Sequence, residues 1–142
     1  MKRIISVLLI VIMFSSFALN EWETVFNQDG IQLSTREADC KLETGSNQKW
    51  LLVKVQNNSP FAKIVEWDIE SFNTEGKCIN CGTKENHRLL KIGPNESIEG
   101  ICSIKTVQEL KFAMKMLDIK TVSGVKEVKL VNIKVTNVQH EK

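Results

Sequence analysis

The strongest constraint on the fold is the alternation of apolar and polar side chains within residues 64–72. Successive side chains of a β-strand point to opposite faces, so this alternation predicts a strand with one face in the core. A second apolar segment covers residues 50–55, and the polar residues 57–60 separate the two. That polar stretch ends in Pro60, which cannot lie in a central strand. The pattern therefore predicts two strands with a turn between them.

The shortest connection between such strands is an antiparallel hairpin, and its apolar face predicts a register. Val53 would lie opposite Trp67 on the apolar face, and Lys54 opposite Glu66 on the other. A shift of one residue would expose Trp67 and bury Glu66, which opposes any other register. Trp50 falls on the side of Lys54, so it is either exposed or covered by a second layer.

The rest of the chain carries single Gly and Pro residues between short apolar segments. Asp29-Gly30 indicates a first hairpin or a bend between two short strands. Further strands are expected at residues 87–92, 97–103 and 125–138. In the last of these the apolar positions change parity near residues 130–131, which is typical of a β-bulge. Short strands at this spacing predict an all-β fold, an antiparallel immunoglobulin-like β-sandwich.

Residues 107–117 fit two patterns. Val107, Leu110, Met114 and Leu117 follow helical spacing, whereas the apolar residues between 110 and 116 also alternate as in a strand. We expect a helical turn or a short helix here.

The chain opens with Lys2 and Arg3, a short apolar run and small residues up to Ala18, as in a secretory signal peptide. We expect cleavage after Ala18, which leaves residues 19–142 as a single domain in the periplasm or outside the cell. The alternative is an uncleaved membrane anchor at residues 4–17, but the apolar run is shorter than the roughly 20 residues of a spanning helix. We therefore expect no membrane span after signal removal.

Removal of Lys2 and Arg3 also removes the formal net charge of +2. A neutral domain has no electrostatic attraction for nucleic acid. Within it, residues 19–100 are net acidic and residues 101–142 net basic, which suits complementary surfaces within one domain or a basic face for an acidic partner.

All the cysteines follow the signal peptide: Cys40, Cys78, Cys81 and Cys102. An even number in an oxidising compartment predicts two disulfides. Cys78–Cys81 with Cys40–Cys102 is the first choice, because the Cys-x-x-Cys pair closes locally. A crossed pairing, with Cys40 bonded to one loop cysteine and Cys102 to the other, stays open.

Two chemical roles compete with a structural one. A zinc site would use the four cysteines or place His87 among them, but a second close pair of ligands is missing. A redox-active Cys78-Ile79-Asn80-Cys81 would need a following helix to lower its thiol pKa, and residues 82–86 lack the apolar periodicity of one.

The remaining polar residues suggest no enzyme. His87 and His140 are the only histidines, and neither stands in a nucleophile motif; His87 is expected at a loop end. Glu66, Asp68 and Glu70 alternate along one strand, which predicts a solvated face rather than a calcium site. We therefore expect no catalytic residues, no cofactor and no metal.

Several motifs resemble those of small exported proteins of Bacteroidetes-type bacteria: Gly30-Ile31, the Gly76–Cys81 loop, the Gly93–Gly100 segment with Cys102, and the closing residues 131–135. The resemblance implies an immunoglobulin-like sandwich and no known catalysis. These observations together predict an exported, non-catalytic module that binds an unknown protein or surface ligand. The alternative is a thiol–disulfide redox or metal-binding protein that uses Cys78 and Cys81, and a further hypothesis is edge-strand addition to a surface assembly.

Overall fold

The computed structural model describes residues 21–120 and 124–138, so the predicted signal peptide with Ala18, and also His140, lie outside the described residues. Among the described residues, no helix has the length and hydrophobicity needed to cross a membrane. This part of the chain forms eight strands and one 3₁₀ turn: β1 (Glu23–Gln28), β2 (Ile31–Lys41), β3 (Asn47–Asn57), β4 (Lys63–Phe72), β5 (His87–Ile92), β6 (Ser97–Glu99), the 3₁₀ turn Gln108–Leu110, β7 (Lys111–Met116) and β8 (Glu127–Asn137).

The strands form two antiparallel sheets, which confirms the all-β prediction. Sheet A has the order β1-β2-β3-β6, with β7 also paired to β3, and sheet B has the order β5-β4-β8. The sheets pack against each other around one core, whose fully buried residues from both sheets include Leu33, Val53, Val55, Val65 and Trp67. The predicted first hairpin is β1–β2, and its turn residues Asp29 and Gly30 both have positive φ, as the tight turns of hairpins require.

The predicted pairing of β3 with β4 is wrong. β3 pairs with β2, β6 and β7 in sheet A, whereas β4 pairs with β5 and β8 in sheet B. Val53 and Trp67 are both 0% exposed, so they share the core as members of opposite sheets and not as a cross-strand pair. Lys54 lies opposite Glu99 instead of Glu66, with its Nζ 3.8 Å from the Glu99 carboxylate.

A buried amide holds the connection by which the chain crosses between the sheets after β3. Asn57 is 1% exposed, and its Nδ2 donates to the carbonyls of Phe61 and Gly93 at 2.7 and 2.8 Å. Its Oδ1 accepts hydrogen bonds from both the backbone N–H and the hydroxyl of Ser59. One side chain therefore ties the β3–β4 loop to the β5–β6 turn, and both connections cross from one sheet to the other.

The helical structure expected at residues 107–117 is confined to a single turn. Only the 3₁₀ turn Gln108–Leu110 is helical, and the alternating pattern prevails in β7, which pairs with β3. The bulge in β8 exists but lies slightly further along the strand than expected. Residues 132 and 133 both face Trp67 of β4, because Lys134 pairs with Glu66 and Val131 pairs with Asp68.

Candidate functional site

The structure joins Cys40 to Cys102 and Cys78 to Cys81, the first of the two pairings considered. Cys40 lies near the end of β2, and the Cys78–Cys81 pair lies in the loop that follows β4. Neither disulfide links one strand of the core to another. Each instead fixes a connecting segment, one between β6 and β7 and the other between β4 and β5.

The first segment, residues 100–110, is called the strap below. β6 and β7 pair with successive parts of the same edge of β3, and the strap leaves the sheet between them. Its two ends meet, because Gly100 packs directly against the carbonyl of Leu110, where an added Cβ would lie only 2.2 Å from the oxygen. The Cys40–Cys102 bond then ties the strap to β2, across the sheet from where it starts.

Glu43 holds the strap at a second point. Its carboxylate accepts a hydrogen bond of 2.8 Å from the Ser103 hydroxyl and a longer one of 3.4 Å from the Ile104 N–H. Bonds from its own backbone N–H, from Ser103 and from Ile104 hold the pKa of Glu43 below its ordinary value. The strap is therefore attached by one covalent bond and by an ionised carboxylate.

A small second hydrophobic cluster lies on the outer face of sheet A, the face opposite the core. It contains Cys40, Leu42, Trp50 and Leu52, all buried. Trp50 is 3% exposed and donates from Nε1 to the Gln48 side chain, so it is covered by a second layer, one of the two outcomes considered. Since Cys40 belongs to this cluster, the disulfide attaches the strap to sheet A at the edge of a buried apolar group.

The strap leaves three large aliphatic side chains in solvent. Ile101, Ile104 and Val107 are 50%, 49% and 43% exposed. Single exposed apolar residues are common on protein surfaces, and here three of them fall within one covalently fixed segment of seven residues. The sequence alone did not reveal this group, because residues 101–107 show no clear periodicity.

The loop between β4 and β5 is fixed from within by Asn80. The Asn80 side chain accepts hydrogen bonds from the backbone N–H and the hydroxyl of Ser71 and donates to the carbonyl of Ile69. The loop therefore continues sheet B beyond the start of β5. Between its two cysteines, Ile79 is 58% exposed.

A polar cleft of about 350 Å³ lies on the outer face of sheet B, lined by Glu66, Asp68, Lys84, His87, Asn132 and Lys134. The alternation along β4 places the acids on this face, as predicted. His87 is the first residue of β5, where the preceding loop ends as expected, and it lies directly opposite Asp68.

Asp68 is the centre of this cleft. One carboxylate oxygen lies 2.8 Å from His87 Nδ1, and the other accepts a hydrogen bond of 2.9 Å from Asn132 Nδ2. The bond from Asn132 and, after it, the bond with His87 hold the pKa of Asp68 below its ordinary value. Partial burial opposes this shift. The second nitrogen of His87, Nε2, lies 3.5 Å from a carboxylate oxygen of Glu66.

Asn132 reaches the cleft because of the bulge in β8. It has a φ of 53°, a left-handed conformation that Asn tolerates better than most residues. The parity change in the sequence signalled the bulge, but it did not indicate that the bulged residue would contact Asp68.

The four sulfurs do not form one group, which argues against the four-cysteine zinc site. Among the described residues, one set of three candidate ligands lies together, namely Glu70, Cys78 and Cys81, with their ligand atoms within 4.8 Å of one another. Both cysteines of this set are joined in a disulfide.

The fold and its cross-links define a disulfide-bonded, two-sheet all-β protein. Comparison with known protein families, with curated proteins and with solved structures finds no match for this chain. Its function therefore has to be inferred from its own residues.

Proposed function

We propose that this chain is an exported, non-catalytic binding module that contacts a protein partner through the strap. One observation carries the proposal: a disulfide and an ionised carboxylate hold the strap in place while Ile101, Ile104 and Val107 remain about half exposed. Binding surfaces are commonly segments that a rigid scaffold positions.

The energetics favour this use of the strap. A flexible loop loses conformational entropy when it binds, and a loop that is already fixed avoids most of that cost. Covering the exposed halves of three aliphatic side chains would contribute about 2–4 kcal/mol to binding. A partner with an apolar patch of matching shape would supply that cover.

Export is the second part of the proposal. The signal-like residues 1–18 support it, and so do the two disulfides, which persist in oxidising compartments. The resemblance to small exported proteins of Bacteroidetes-type bacteria is part of the same proposal and points to the periplasm or the cell surface.

We also propose that the sandwich is immunoglobulin-like. β2, β3 and the β6–β7 edge would correspond to strands A, B and E, and β5, β4 and β8 to strands C′, C and F. Trp67 is 0% exposed on β4, where immunoglobulin domains carry a buried tryptophan on strand C. The chain departs from antibody domains in its cysteines, since neither disulfide joins β3 to β8.

Mass spectrometry tests the export proposal. The full chain is expressed in an exporting host, purified without reductant and alkylated under denaturing conditions, with and without prior reduction. We expect loss of residues 1–18 and no free thiols before reduction. Retention of the N-terminal segment, or two or four free thiols, would contradict the proposal.

Photo-crosslinking tests the strap. A crosslinking amino acid is placed at position 104, or at position 25 as a control, because Val25 is an equally exposed aliphatic residue on β1 (45%). Proteins crosslinked from the envelope of the native cell are identified and then purified. A purified partner should bind the unmodified chain, and Ile104→Ser should weaken its binding at least tenfold while Val25→Ser leaves it unchanged.

Two outcomes would overturn the strap proposal. One is a purified partner whose affinity is the same for Ile104→Ser and for the unmodified chain. The other is self-association in sedimentation velocity that Ile104→Ser abolishes, which would make a second copy of the chain the occupant.

A specific observation also favours the alternative function at Cys78 and Cys81. The Glu70 carboxylate lies within 4.8 Å of both sulfurs, so reduction of the disulfide would create a site with two thiolates and one carboxylate, a donor set that zinc accepts. Stoichiometric zinc binding by the reduced chain, lost in Glu70→Gln and absent from the oxidised chain, would support this alternative. Disulfide reductase activity lost in Cys78→Ser would support its redox form.

A further inference from the structure

The hydrogen bonds in the sheet B cleft determine which nitrogen of His87 is free. Ionised Asp68 can only accept hydrogen bonds, and its second oxygen is already bonded to Asn132. The 2.8 Å contact therefore places the hydrogen of a neutral His87 ring on Nδ1. Nε2 is left with a lone pair that opens into the cleft.

That lone pair faces a second acceptor. Glu66 Oε1 lies 3.5 Å from His87 Nε2, which is longer than an ordinary N–H···O hydrogen bond. Zinc–nitrogen and zinc–oxygen bonds of about 2.1 Å at a tetrahedral angle place their two ligand atoms about 3.4 Å apart. The observed separation is thus one that a shared cation would produce.

We infer that His87 Nε2 and the Glu66 carboxylate bind a divalent transition-metal ion on the outer face of sheet B. Both side chains are accessible, with 43% and 25% of their surfaces exposed. The cleft of about 350 Å³ has room for water at the remaining coordination positions. This inference concerns a different face from the strap and does not depend on the proposed function.

The surroundings of His87 match the usual support of a metal-binding histidine. Such a histidine generally donates its other N–H to a carboxylate, which fixes the ring and makes the ligand more basic. Asp68 supplies that carboxylate, and Asn132 orients it from the bulge of β8. Asp68 and Asn132 are therefore positioning residues, while His87 and Glu66 are the ligands.

The ligands predict which ions bind. Imidazole favours zinc, nickel and copper, and affinities at such sites rise from nickel to copper and fall again at zinc. Calcium needs six to eight oxygen ligands, which one carboxylate cannot provide. Lys84 and Lys134 line the same cleft and offset the charges of the acids, which further disfavours ions held by charge alone.

Calorimetry on the exported chain with both disulfides formed and no affinity tag tests the site. We expect saturable binding of one Cu²⁺ or Zn²⁺ and none of Ca²⁺. His87→Gln and Glu66→Gln should each weaken binding at least tenfold, and Asp68→Asn by about ten- to a hundredfold. The control is His140→Gln, the other histidine, which should leave the affinity unchanged.

Nuclear magnetic resonance locates the ion independently. Paramagnetic Cu²⁺ should broaden the signals of residues around 66, 87 and 132 first, and Zn²⁺ should shift the Nε2 resonance of His87 rather than Nδ1. Circular dichroism establishes that each variant is folded. The inference is overturned if binding does not saturate below 1 mM metal, if folded His87→Gln binds as well as the unmodified chain, or if His140→Gln abolishes binding.

Discussion

Asn57 shows how one buried polar residue determines a connection. Its amide makes four hydrogen bonds, to Phe61, Gly93 and twice to Ser59, and the residue is 1% exposed. Two backbone hydrogen bonds lie beside this side chain. The Asn57 N–H donates to the Glu96 carbonyl, and the Ser59 carbonyl accepts from the Asn95 N–H. Three segments of the chain therefore meet at a single side chain.

Replacing this residue should be costly. Asn57→Ala removes the amide donor to the carbonyls of Phe61 and Gly93 and the acceptor of the Ser59 N–H. A buried polar group that loses its partner costs about 1–3 kcal/mol. We expect the free energy of unfolding to fall by about 2–4 kcal/mol in urea titrations. The neighbouring Asn58 is exposed, so Asn58→Ala is the control and should change stability by less than about 0.5 kcal/mol. Equal effects of the two substitutions would contradict the role given to Asn57.

The sequence predicted which residues of β4 are buried, but it did not predict which strands pair with β4. The period of two along β4 correctly placed Val65, Trp67 and Ile69 inside. The period of two shows which face of a strand is apolar. It does not show which strand lies beside it, because a partner in the same sheet and a partner in the opposite sheet both bury that face. The bonds that hold β3 and β4 in opposite sheets join Asn57 to residues as distant as Gly93, so a local sequence pattern does not reveal them.

The residues of the sheet B cleft show the same difference between local patterns and long-range contacts. The acids of β4 were correctly placed on one outer face, because alternation along one strand is local. His87 and Asn132 join them from β5 and β8, so their contacts with Asp68 depend on the order of strands in sheet B. Residues 107–117 were ambiguous for a related reason: β7 becomes a strand because an edge of β3 is available to it.

At the scale of elements, the β6–strap–β7 unit depends on a close approach at its base. An added Cβ at Gly100 would lie 2.2 Å from the backbone oxygen of Leu110, and backbone cannot move aside cheaply. At Gly93 an added Cβ would meet only the end of the Glu96 side chain at 3.0 Å. We expect Gly100→Ala to lower the unfolding free energy by about 1–3 kcal/mol and Gly93→Ala to have a smaller effect. Thermal unfolding of the two variants side by side measures the difference, and a larger effect at Gly93 would contradict the geometry.

The strap should also respond to pH. Glu43 has a folded pKa below its ordinary value of 4.5, so its ionised form stabilises the attached strap. This contribution is fully present above pH 4.5 and is lost as the pH falls through the lower folded value. Hydrogen-exchange protection of the strap amides should therefore fall as the pH is lowered below 4.5, while the amides of β3 stay protected.

Glu43→Gln supplies the control for this response. The variant cannot ionise at position 43, so its strap should show the lower protection already at pH 5 and little further change on acidification. Lys105 contributes only a minor attraction to Glu43, so Lys105→Gln should keep most of the pH response. A strap that loses protection equally in the unmodified chain and in Glu43→Gln would contradict this assignment.

At the scale of the whole molecule, the two disulfides should contribute unequally. Cys40 and Cys102 are separated by 62 residues and Cys78 and Cys81 by 3. In the loop-entropy description, the longer cross-link restricts the unfolded chain by about 4 kcal/mol and the shorter by about 1.5 kcal/mol. The paired substitution Cys40→Ser with Cys102→Ser removes the first cross-link, and Cys78→Ser with Cys81→Ser removes the second. Urea unfolding of these two variants beside the unmodified chain measures both contributions.

The two cross-links should also differ in which segment loses exchange protection when each is removed. Loss of the Cys40–Cys102 bond also frees the strap from the second hydrophobic cluster, so exchange protection should drop in residues 101–109 as well as globally. Loss of the Cys78–Cys81 bond leaves the Asn80 hydrogen bonds in place, so that loop should stay largely ordered. A chain destabilised more by the Cys78 and Cys81 substitutions would mean that the local bond, and not the strap, supports the sandwich.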